Sequence, residues 1–145
     1  MKDEDPGKII IAVTESDAHV VGNRILELAL VKEGFRVINL GVCTSGIEIA
    51  EAYRSKRNVL AIAIGSINGH GAADLRTFGM IKRNYQLSCP VFFGGYLEVG
   101  RRAKAEDYSA EELETLGLDD ILDDIPQLIT KLKALRQRWR QLRHG

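Results

Sequence analysis

The sequence has 145 residues, of which 45% are hydrophobic and 28% are charged, enough for the core of one ordinary globular domain but not of two. Twenty Lys and Arg residues balance twenty Asp and Glu residues, so no net charge attracts the chain to nucleic acid or to an anionic membrane. The only cysteines, Cys43 and Cys89, are too few for a disulfide framework, and we expect reduced, partly buried thiols.

The sequence predicts neither a secretory leader nor a membrane span. Residues 1–8 are charged and lack the apolar stretch and cleavage site of a signal peptide. The longest clean apolar run, residues 59–64, is far shorter than the roughly 20 residues that cross a bilayer. We therefore expect a cytoplasmic protein.

Strands and helices are predicted to alternate along the chain. Continuous β-branched and aliphatic runs at residues 8–13 and 59–64 are typical of parallel strands that are buried on both faces. A last helix is predicted to open at Asp124, with Pro126 in its first turn. In chain order, the predicted elements are strand 8–13, helix 21–32, strand 36–40, helix 46–55, strand 59–64, helix 72–84, strand 91–93, helix 110–116, strand 119–122 and helix 125–143.

This alternation predicts an α/β fold, a flavodoxin-like (Rossmann-like) doubly wound sheet of five parallel strands in the order 2-1-3-4-5, with helices on both faces. We expect one domain over residues 1–145, with its core at about 8–122. In such sheets, ligands bind beyond the carboxyl ends of the strands, beside strands one and three. The candidate site therefore comprises three loops at that edge, residues 14–20, 65–71 and 94–100.

The first loop carries the motif Asp17-x-His19-x-x-Gly22 directly after a central strand. A neutral imidazole is a good ligand for a borderline metal ion, and a carboxylate that accepts its other ring N–H fixes the tautomer. At the start of a helix, the helix dipole also disfavours a protonated His19, and Gly22 admits a bulky ligand. A simpler interpretation stays open, in which Asp17 or Ser16 caps the helix and His19 is a surface residue.

The second loop, Gly65-Ser66-Ile67-Asn68-Gly69-His70-Gly71, is rich in glycine. Small residues here would open a slot between strand and helix, although such loops often form only turns. The loop is not a dinucleotide fingerprint, because Asp74 stands at the position of the third glycine and the loop follows strand three. We interpret His70 as a loop or second-sphere residue rather than as a metal ligand.

The third loop, Gly94-Gly95-Tyr96-Leu97-Glu98-Val99-Gly100, begins with paired glycines at the end of the fourth strand. Two successive residues without Cβ atoms let a flat ligand lie against the backbone, whereas a lone Gly-Gly pair is equally compatible with a tight turn. The convergence of three such loops at one edge of the sheet is what favours a binding site.

Together these residues resemble the signature of cobalamin-binding domains, which is Asp-x-His-x-x-Gly, then Ser-x-Leu, then Gly-Gly. The matching positions are Asp17, His19 and Gly22, then Gly41, then Gly65 to Ile67, then Gly94 and Gly95. Further agreement at Ser16 and in residues 22–26, 34–37 and 93–100 is closest to the small subunits of glutamate mutase (methylaspartate mutase). The resemblance covers roughly residues 9–121.

The resemblance implies an adenosylcobalamin cofactor, with His19 as the axial ligand to cobalt and Asp17 as the hydrogen-bond partner of His19. It also implies that the dimethylbenzimidazole of the cofactor leaves cobalt and that the nucleotide tail enters a slot beside the sheet. The corrin would lie on Ser16, Asp17, Ala18, His19 and Val20, the slot wall on Gly65, Ser66 and Ile67, and the tail against residues 94–100. The chemistry of the family is homolysis of the cobalt–carbon bond, followed by a skeletal rearrangement such as that of L-glutamate to 3-methylaspartate.

The same resemblance implies a partner protein. In these mutases a (β/α)₈ barrel caps the corrin and binds the small-molecule substrate, and 145 residues do not include one. A separate large subunit is therefore expected, without which the chain would be inactive. The chain departs from the signature where Gly65 and Ile67 replace Ser and Leu, with Ser66 one position from the expected hydroxyl.

The last helix is predicted to be amphipathic. We expect its apolar stripe to pack on the sheet and its basic residues to be solvated and offset by Asp119, Asp120, Asp123 and Asp124. In the alternative, the turns around Trp139 bind a partner; a nucleic-acid role is not favoured, because the stripe interrupts the basic surface. The stripe is Leu128, Leu132, Leu135, Trp139 and Leu142, and the basic residues are Lys131, Lys133, Arg136, Arg138, Arg140 and Arg143.

Two other classes share this topology. A corrinoid carrier for methyl transfer uses the same motif, but normally behind an N-terminal helical bundle, and only about eight residues precede the first strand here. A phospho-receiver needs an acidic cluster after strand one and an aspartate at the end of strand three, where this chain has Thr14 and Gly65. A mutase small subunit with another substrate also stays open, because the large subunit selects the substrate.

Overall fold

A computed structural model describes residues 7–144, with side chains described as far as residue 142. Five strands form one parallel sheet in the order β2-β1-β3-β4-β5, so the predicted fold class and strand order are confirmed. Most of the charged N-terminal segment, residues 1–6, and the side chain of Arg143 lie outside the described residues. The strands are β1 (Lys8–Val13), β2 (Arg36–Asn39), β3 (Val59–Ser66), β4 (Val91–Gly95) and β5 (Asp120–Ile121).

In residues 7–144, six α-helices surround the sheet. Two of them begin with a capping box, in which Ser45 and Glu48 satisfy each other's backbone N–H groups at the start of α2, as Ser109 and Glu112 do at the start of α5. The helices are α1 (Val20–Lys32), α2 (Gly46–Arg54), α3 (Gly71–Asp74), α4 (Phe78–Tyr85), α5 (Ala110–Leu116) and α6 (Ile125–His144). Among the described residues, no helix combines the length and the apolar character needed to cross a membrane.

The prediction of a single helix over residues 72–84 is wrong, because this segment forms two helices, α3 and α4, separated by a turn. The carboxylate of Asp74 accepts hydrogen bonds from the backbone N–H and the hydroxyl of Ser16 at 3.0 and 2.7 Å. The N–H of Phe78 donates to the carbonyl of Leu75, which closes a turn between the two helices. The bend brings Gly79 against the last carbonyls of α5, where any Cβ would overlap the oxygen of Glu114. Tertiary packing therefore overrides local helical preference.

The sheet is covered on both faces, and neighbouring residues of each strand alternate between two apolar layers. Ile10, Ile62 and Phe93 contact α2 to α5 in one layer, whereas Ile9 and Phe92 belong to the layer under α1 and α6. Burial of each such side chain contributes about 1.5–3 kcal/mol. The strand ends at the carboxyl edge are thereby held rigidly beneath the loops.

The apolar stripe of the C-terminal helix packs on the sheet as predicted, and it does so on the same face as α1, through Leu128, Leu132, Leu135 and Trp139. The stripe ends there, since Leu142 is 79% exposed. Of the four expected aspartates, Asp120 pairs with Lys131 at 3.5 Å, and Asp119 pairs instead with Lys82. Glu33, at the end of α1, is an additional partner that binds Lys133 at 2.8 Å. The Arg136 guanidinium lies 4.1 Å from the ring centroid of Phe35, which further anchors the helix.

The two cysteines differ from the expectation of partly buried thiols. Cys43 is exposed, whereas Cys89 is buried, and burial raises the pKa of the Cys89 thiol to about 12. Cys89 is therefore a structural thiol that stays protonated at neutral pH.

Candidate functional site

The first loop places a histidine and a carboxylate in direct contact. Asp17, which is only 3% exposed, accepts hydrogen bonds through Oδ1 from the backbone N–H of His19 at 3.0 Å and from its ring Nδ1 at 2.8 Å. Because an ionised carboxylate only accepts, Nδ1 carries the proton and the lone pair of the neutral ring lies on Nε2. An imidazole nitrogen with a free lone pair is chemically able to bind a metal ion.

The second oxygen of Asp17 joins the first loop to the second. Oδ2 accepts from the backbone N–H groups of Ile67 and Asn68 at 2.6 and 3.1 Å, and from the Ser66 hydroxyl at 3.2 Å. Burial raises the pKa of Asp17, but the hydrogen bonds from the His19 side chain and from the backbone of Ile67, His19 and Asn68 outweigh it and lower the pKa to about 2. Asp17 therefore remains ionised at neutral pH.

The simpler interpretation, in which Asp17 or Ser16 caps the first helix, is wrong. His19 itself is the N-cap residue of α1, and no side chain caps the helix there. Ser16 instead donates to Asp74, and the Asn68 side chain donates to the carbonyl and hydroxyl of Ser16, both at 3.1 Å. His19 thus lies at the N-terminus of α1, the positive end of the helix dipole.

Gly22 makes room for the imidazole. A Cβ built on Gly22 would lie 2.9 Å from Cδ2 and 3.3 Å from Nε2 of His19. Any larger residue would therefore push the ring from its position. The His19 side chain is 19% exposed, so the ring is held by its neighbours and remains accessible.

A cleft of about 160 Å³ opens beside His19, between the carboxyl edge of the sheet and the helices α1 and α6. Gly65 and Gly94 lie on its sheet side, and a Cβ on either would meet only one atom within 4 Å, at an ordinary 3.7 Å. Packing within the chain therefore does not require these glycines, and their missing side chains keep the cleft open. The other lining residues are Ala12, Val13, His19, Gly22, Asn23, Leu26, Ala63, Ile64, Phe92, Phe93, Arg102, Leu122, Asp124, Ile125 and Leu128.

The second glycine of the Gly94-Gly95 pair is required by packing within the chain. Gly95 has a φ of 123°, and a Cβ there would overlap the carbonyl oxygen of Ser66. The same carbonyl accepts from the N–H of Tyr96 at 2.7 Å, and the Leu97 carbonyl accepts from Ala72 at 3.0 Å. Gly95 therefore lets the second and third loops contact each other directly.

The structure brings part of the predicted site together. Four of the predicted residues line the cleft: His19, Gly22, Gly65 and Gly94. Asp17 is hydrogen-bonded to Nδ1 of His19. Leu97 is 1% exposed and belongs to the core. Tyr96 is half-buried. Six other residues of the predicted site are exposed: Ala18, Val20, Ile67, Glu98, Val99 and Gly100.

The helical walls of the cleft were not predicted from the sequence. Asn23 and Leu26 follow Gly22 on the inner face of α1, which the helical spacing of the motif indicates in retrospect. Arg102, Ile125 and Leu128 come from distant segments, and no local signal connects them to the motif.

Comparison with known proteins identifies the family, although no protein-family model matches the chain. Glutamate mutase sigma subunit 2 of Haloarcula marismortui is 36% identical over 129 residues, covering 87% of this chain and 85% of that protein. The glutamate mutase sigma subunit of Carboxydothermus hydrogenoformans is 31% identical over 134 residues, covering 89% and 93%. The chain belongs to the glutamate mutase sigma subunit family. The predicted resemblance is therefore confirmed.

Solved structures of two other proteins share the fold. A cobalamin-binding protein from Desulfitobacterium hafniense superposes with a TM-score of 0.70 at 18% identity, covering 89% of this chain and 58% of that one. A chain of the methanol:cobalamin methyltransferase complex of Methanosarcina barkeri superposes with a TM-score of 0.72 at 16% identity, covering 92% and 47%. At these identities the similarity concerns the architecture only.

Proposed function

We propose that this chain is the cobalamin-binding subunit of an adenosylcobalamin-dependent glutamate mutase, which converts L-glutamate to 3-methylaspartate, with Nε2 of His19 on cobalt. One observation carries the proposal: in a member of the sigma subunit family, a buried carboxylate orients His19 at the mouth of an open cleft. The names of the relatives favour a mutase over a methyl-transfer carrier. The unit that binds the cofactor would span about residues 8–122, closed on one side by α6.

The residues present fit a corrinoid with a displaced lower base. A neutral imidazole on a carboxylate is a suitable nitrogen donor for cobalt, and the cleft beside it offers space for a nucleotide tail. Three large apolar side chains in the loops at the same edge are exposed: Val20 at 60%, Ile67 at 55% and Val99 at 75%. Exposed apolar side chains of this kind are suited to contact with a large ligand. The adenosyl form supplies the radical chemistry, whereas the chain's own residues bind and orient it.

The proposal includes a large subunit that binds the substrate. Glutamate carries two carboxylates and an ammonium group, and burying them needs several charged partners. The cleft is lined mostly by apolar residues, and among the residues that the structure describes only Arg102 and Asp124, apart from His19, bring an acidic or basic side chain to it. The substrate site is therefore assigned to a partner, a (β/α)₈-barrel subunit by resemblance, and the chain alone is expected to be inactive. A cytoplasmic complex agrees with the two free thiols, Cys43 and Cys89.

The test is spectroscopic. We expect ¹⁵N-labelled protein mixed with unlabelled cobalamin, with the large subunit present, to show in the Co(II) state an electron paramagnetic resonance coupling to protein ¹⁵N. Such a coupling means that a histidine has replaced dimethylbenzimidazole. A spectrum of free cobalamin at saturating protein would contradict the proposal.

Gly22→Ala separates ligation from stability. Alanine is favoured over glycine in a helix by about 1 kcal/mol, so the unfolding free energy should stay constant or rise. The new Cβ would displace the His19 ring, and we expect cobalamin binding to weaken about tenfold. Absorbance titration and urea unfolding measure the two effects. Leu28→Ala, on the outer face of α1 where Leu28 is 54% exposed, is the control and should bind normally; equal affinities of Gly22→Ala and wild type would contradict the role of Gly22.

A further inference from the structure

Asn68, an exposed residue of the second loop, is bonded on both sides of its side-chain amide. Its Nδ2 donates to the carbonyl and to the hydroxyl of Ser16, both at 3.1 Å. Its Oδ1 accepts from the backbone N–H of His70 at 2.9 Å and from the Ser66 hydroxyl at 3.3 Å. Exposed amides commonly bond to water instead. The Asn68 side chain therefore joins the first loop to the second.

The contacts of Oδ1 fix the local backbone of the second loop. The bond from the His70 N–H closes an Asx turn that starts at Asn68. A side chain held at both ends also fixes the backbone of its own residue, and this backbone carries two of the donors to Asp17. The N–H groups of Ile67 and Asn68 donate to Asp17 Oδ2 at 2.6 and 3.1 Å. The Asn68 side chain thus directs the donors that hold the carboxylate.

The contacts of Nδ2 fix the main chain that leads into Asp17. The carbonyl of Ser16 belongs to the peptide unit between Ser16 and Asp17, so a bond to this oxygen restrains the plane of that peptide. Asn68 therefore restrains Asp17 twice, through its peptide and through its carboxylate. Asp17 Oδ1 accepts from Nδ1 of His19 at 2.8 Å, so the position of the imidazole depends on that of Asp17.

We infer that Asn68 is a positioning residue for the cobalt ligand His19, acting through Ser16 and Asp17. The inference rests on the proposed function, because it concerns the same site. A metal–nitrogen bond requires the donor atom at a defined distance and direction, and groups that only orient a ligand are known to control metal affinity. Without the Asn68 amide, Asp17 keeps its backbone donors, but their direction is no longer fixed.

The experiment replaces the amide by Asn68→Ala. Cobalamin affinity is measured by absorbance titration with the large subunit present, and ligation by electron paramagnetic resonance of the Co(II) state with ¹⁵N-labelled protein. We expect affinity to fall about tenfold. At saturation, the fraction of bound cobalt that shows coupling to protein ¹⁵N should fall at least about twofold. The second readout is specific, because a residue that only stabilises the fold would not change the ligand of the bound cobalt.

Ile49→Val is the control for a general loss of stability. Ile49 is buried in the layer between the sheet and α2, away from the three loops. Removal of its methyl group lowers stability but should leave both cobalamin affinity and ¹⁵N coupling at wild-type values. Equal losses in Ile49→Val and Asn68→Ala would overturn the inference.

A second variant, Asn68→Ser, decides the matter if Asn68→Ala does not fold. Its hydroxyl can still accept from the His70 N–H and close the turn, whereas the two-donor amide that binds Ser16 is lost. We expect affinity to fall about threefold, with a reduced coupled fraction. Wild-type values in this variant would then overturn the inference.

The remaining outcomes separate the inference from the proposed function. Weaker binding of Asn68→Ala with wild-type coupling would show that Asn68 stabilises the loop without positioning His19, and would overturn the inference alone. Wild-type affinity and coupling in Asn68→Ala would do the same. If the wild-type chain itself binds no cobalamin, the proposed function is overturned, and the inference with it.

Discussion

His19→Ala is expected to abolish the protein nitrogen coupling to Co(II) and to weaken cobalamin binding at least about a hundredfold. The loss of a residue that only orients a metal ligand already costs about 10–100-fold, so loss of the ligand itself should cost no less. The fold should persist, because the His19 side chain packs at the edge of the cleft rather than in either core layer. Absorbance titration, ¹⁵N-resolved electron paramagnetic resonance and far-ultraviolet circular dichroism measure the three quantities.

His70→Ala is the matched control. His70 lies in the neighbouring loop and is exposed, and its backbone N–H, which the variant keeps, donates to Asn68 Oδ1 at 2.9 Å. The His70 variant should therefore bind cobalamin with His19 still on cobalt. Unchanged ¹⁵N coupling in His19→Ala would exclude His19 as the ligand, whereas a lost coupling in His70→Ala would point to the second loop instead.

Asp17→Asn is expected to lower both stability and affinity for cobalamin. The carboxylate accepts from the backbone of His19, Ile67 and Asn68 as well as from two side chains. An amide has one accepting oxygen, so its NH₂ group would face N–H donors at a buried position. We expect the unfolding free energy to fall by about 2–4 kcal/mol and cobalamin binding to weaken about 10–100-fold. Urea unfolding and absorbance titration test these values.

The exposed carboxylate Glu15 in the same loop provides the control. Glu15→Gln should change the unfolding free energy by less than about 0.5 kcal/mol. A similar loss in both variants would mean that the charge of the loop, rather than the hydrogen bonds of Asp17, is responsible.

The unfolding free energy of the chain at acid pH should depend on Asp17. Its pKa is lowered from 3.8 to about 2 in the folded chain, so ionised Asp17 stabilises the fold above about pH 4, and this contribution is lost as the pH falls toward 2. Between pH 6 and pH 3, we expect the wild-type chain to lose about 1 kcal/mol more unfolding free energy than Asp17→Asn. Urea unfolding at stepped pH measures the difference, and parallel curves would contradict it.

Much of the candidate site was predictable because its central pair, Asp17 and His19, is local in the sequence. Asp17 and His19 are two residues apart, and the motif follows a strand whose apolar run is evident in the sequence. The β-α alternation likewise predicted the strand order, since parallel strands need helical crossovers. The paired glycines were predicted as one binding element, but only the fold shows that Gly94 opens the cleft and Gly95 lets two loops meet.

The sequence by itself predicted the strand order from the alternation of strands and helices, the edge of the sheet that carries the cleft, and the contact of Asp17 with His19, which follows from their short spacing. Only the tertiary structure decided the break between α3 and α4, the direction of the Ser66 hydroxyl and the α6 wall of the cleft. Each of these depends on groups far apart in the chain: Asp74 is held by Ser16, 58 residues away, and Asp17 by Ile67, 50 residues away. Packing and hydrogen bonding at such separations leave no local pattern, because partners are chosen by the folded sheet rather than by neighbouring residues.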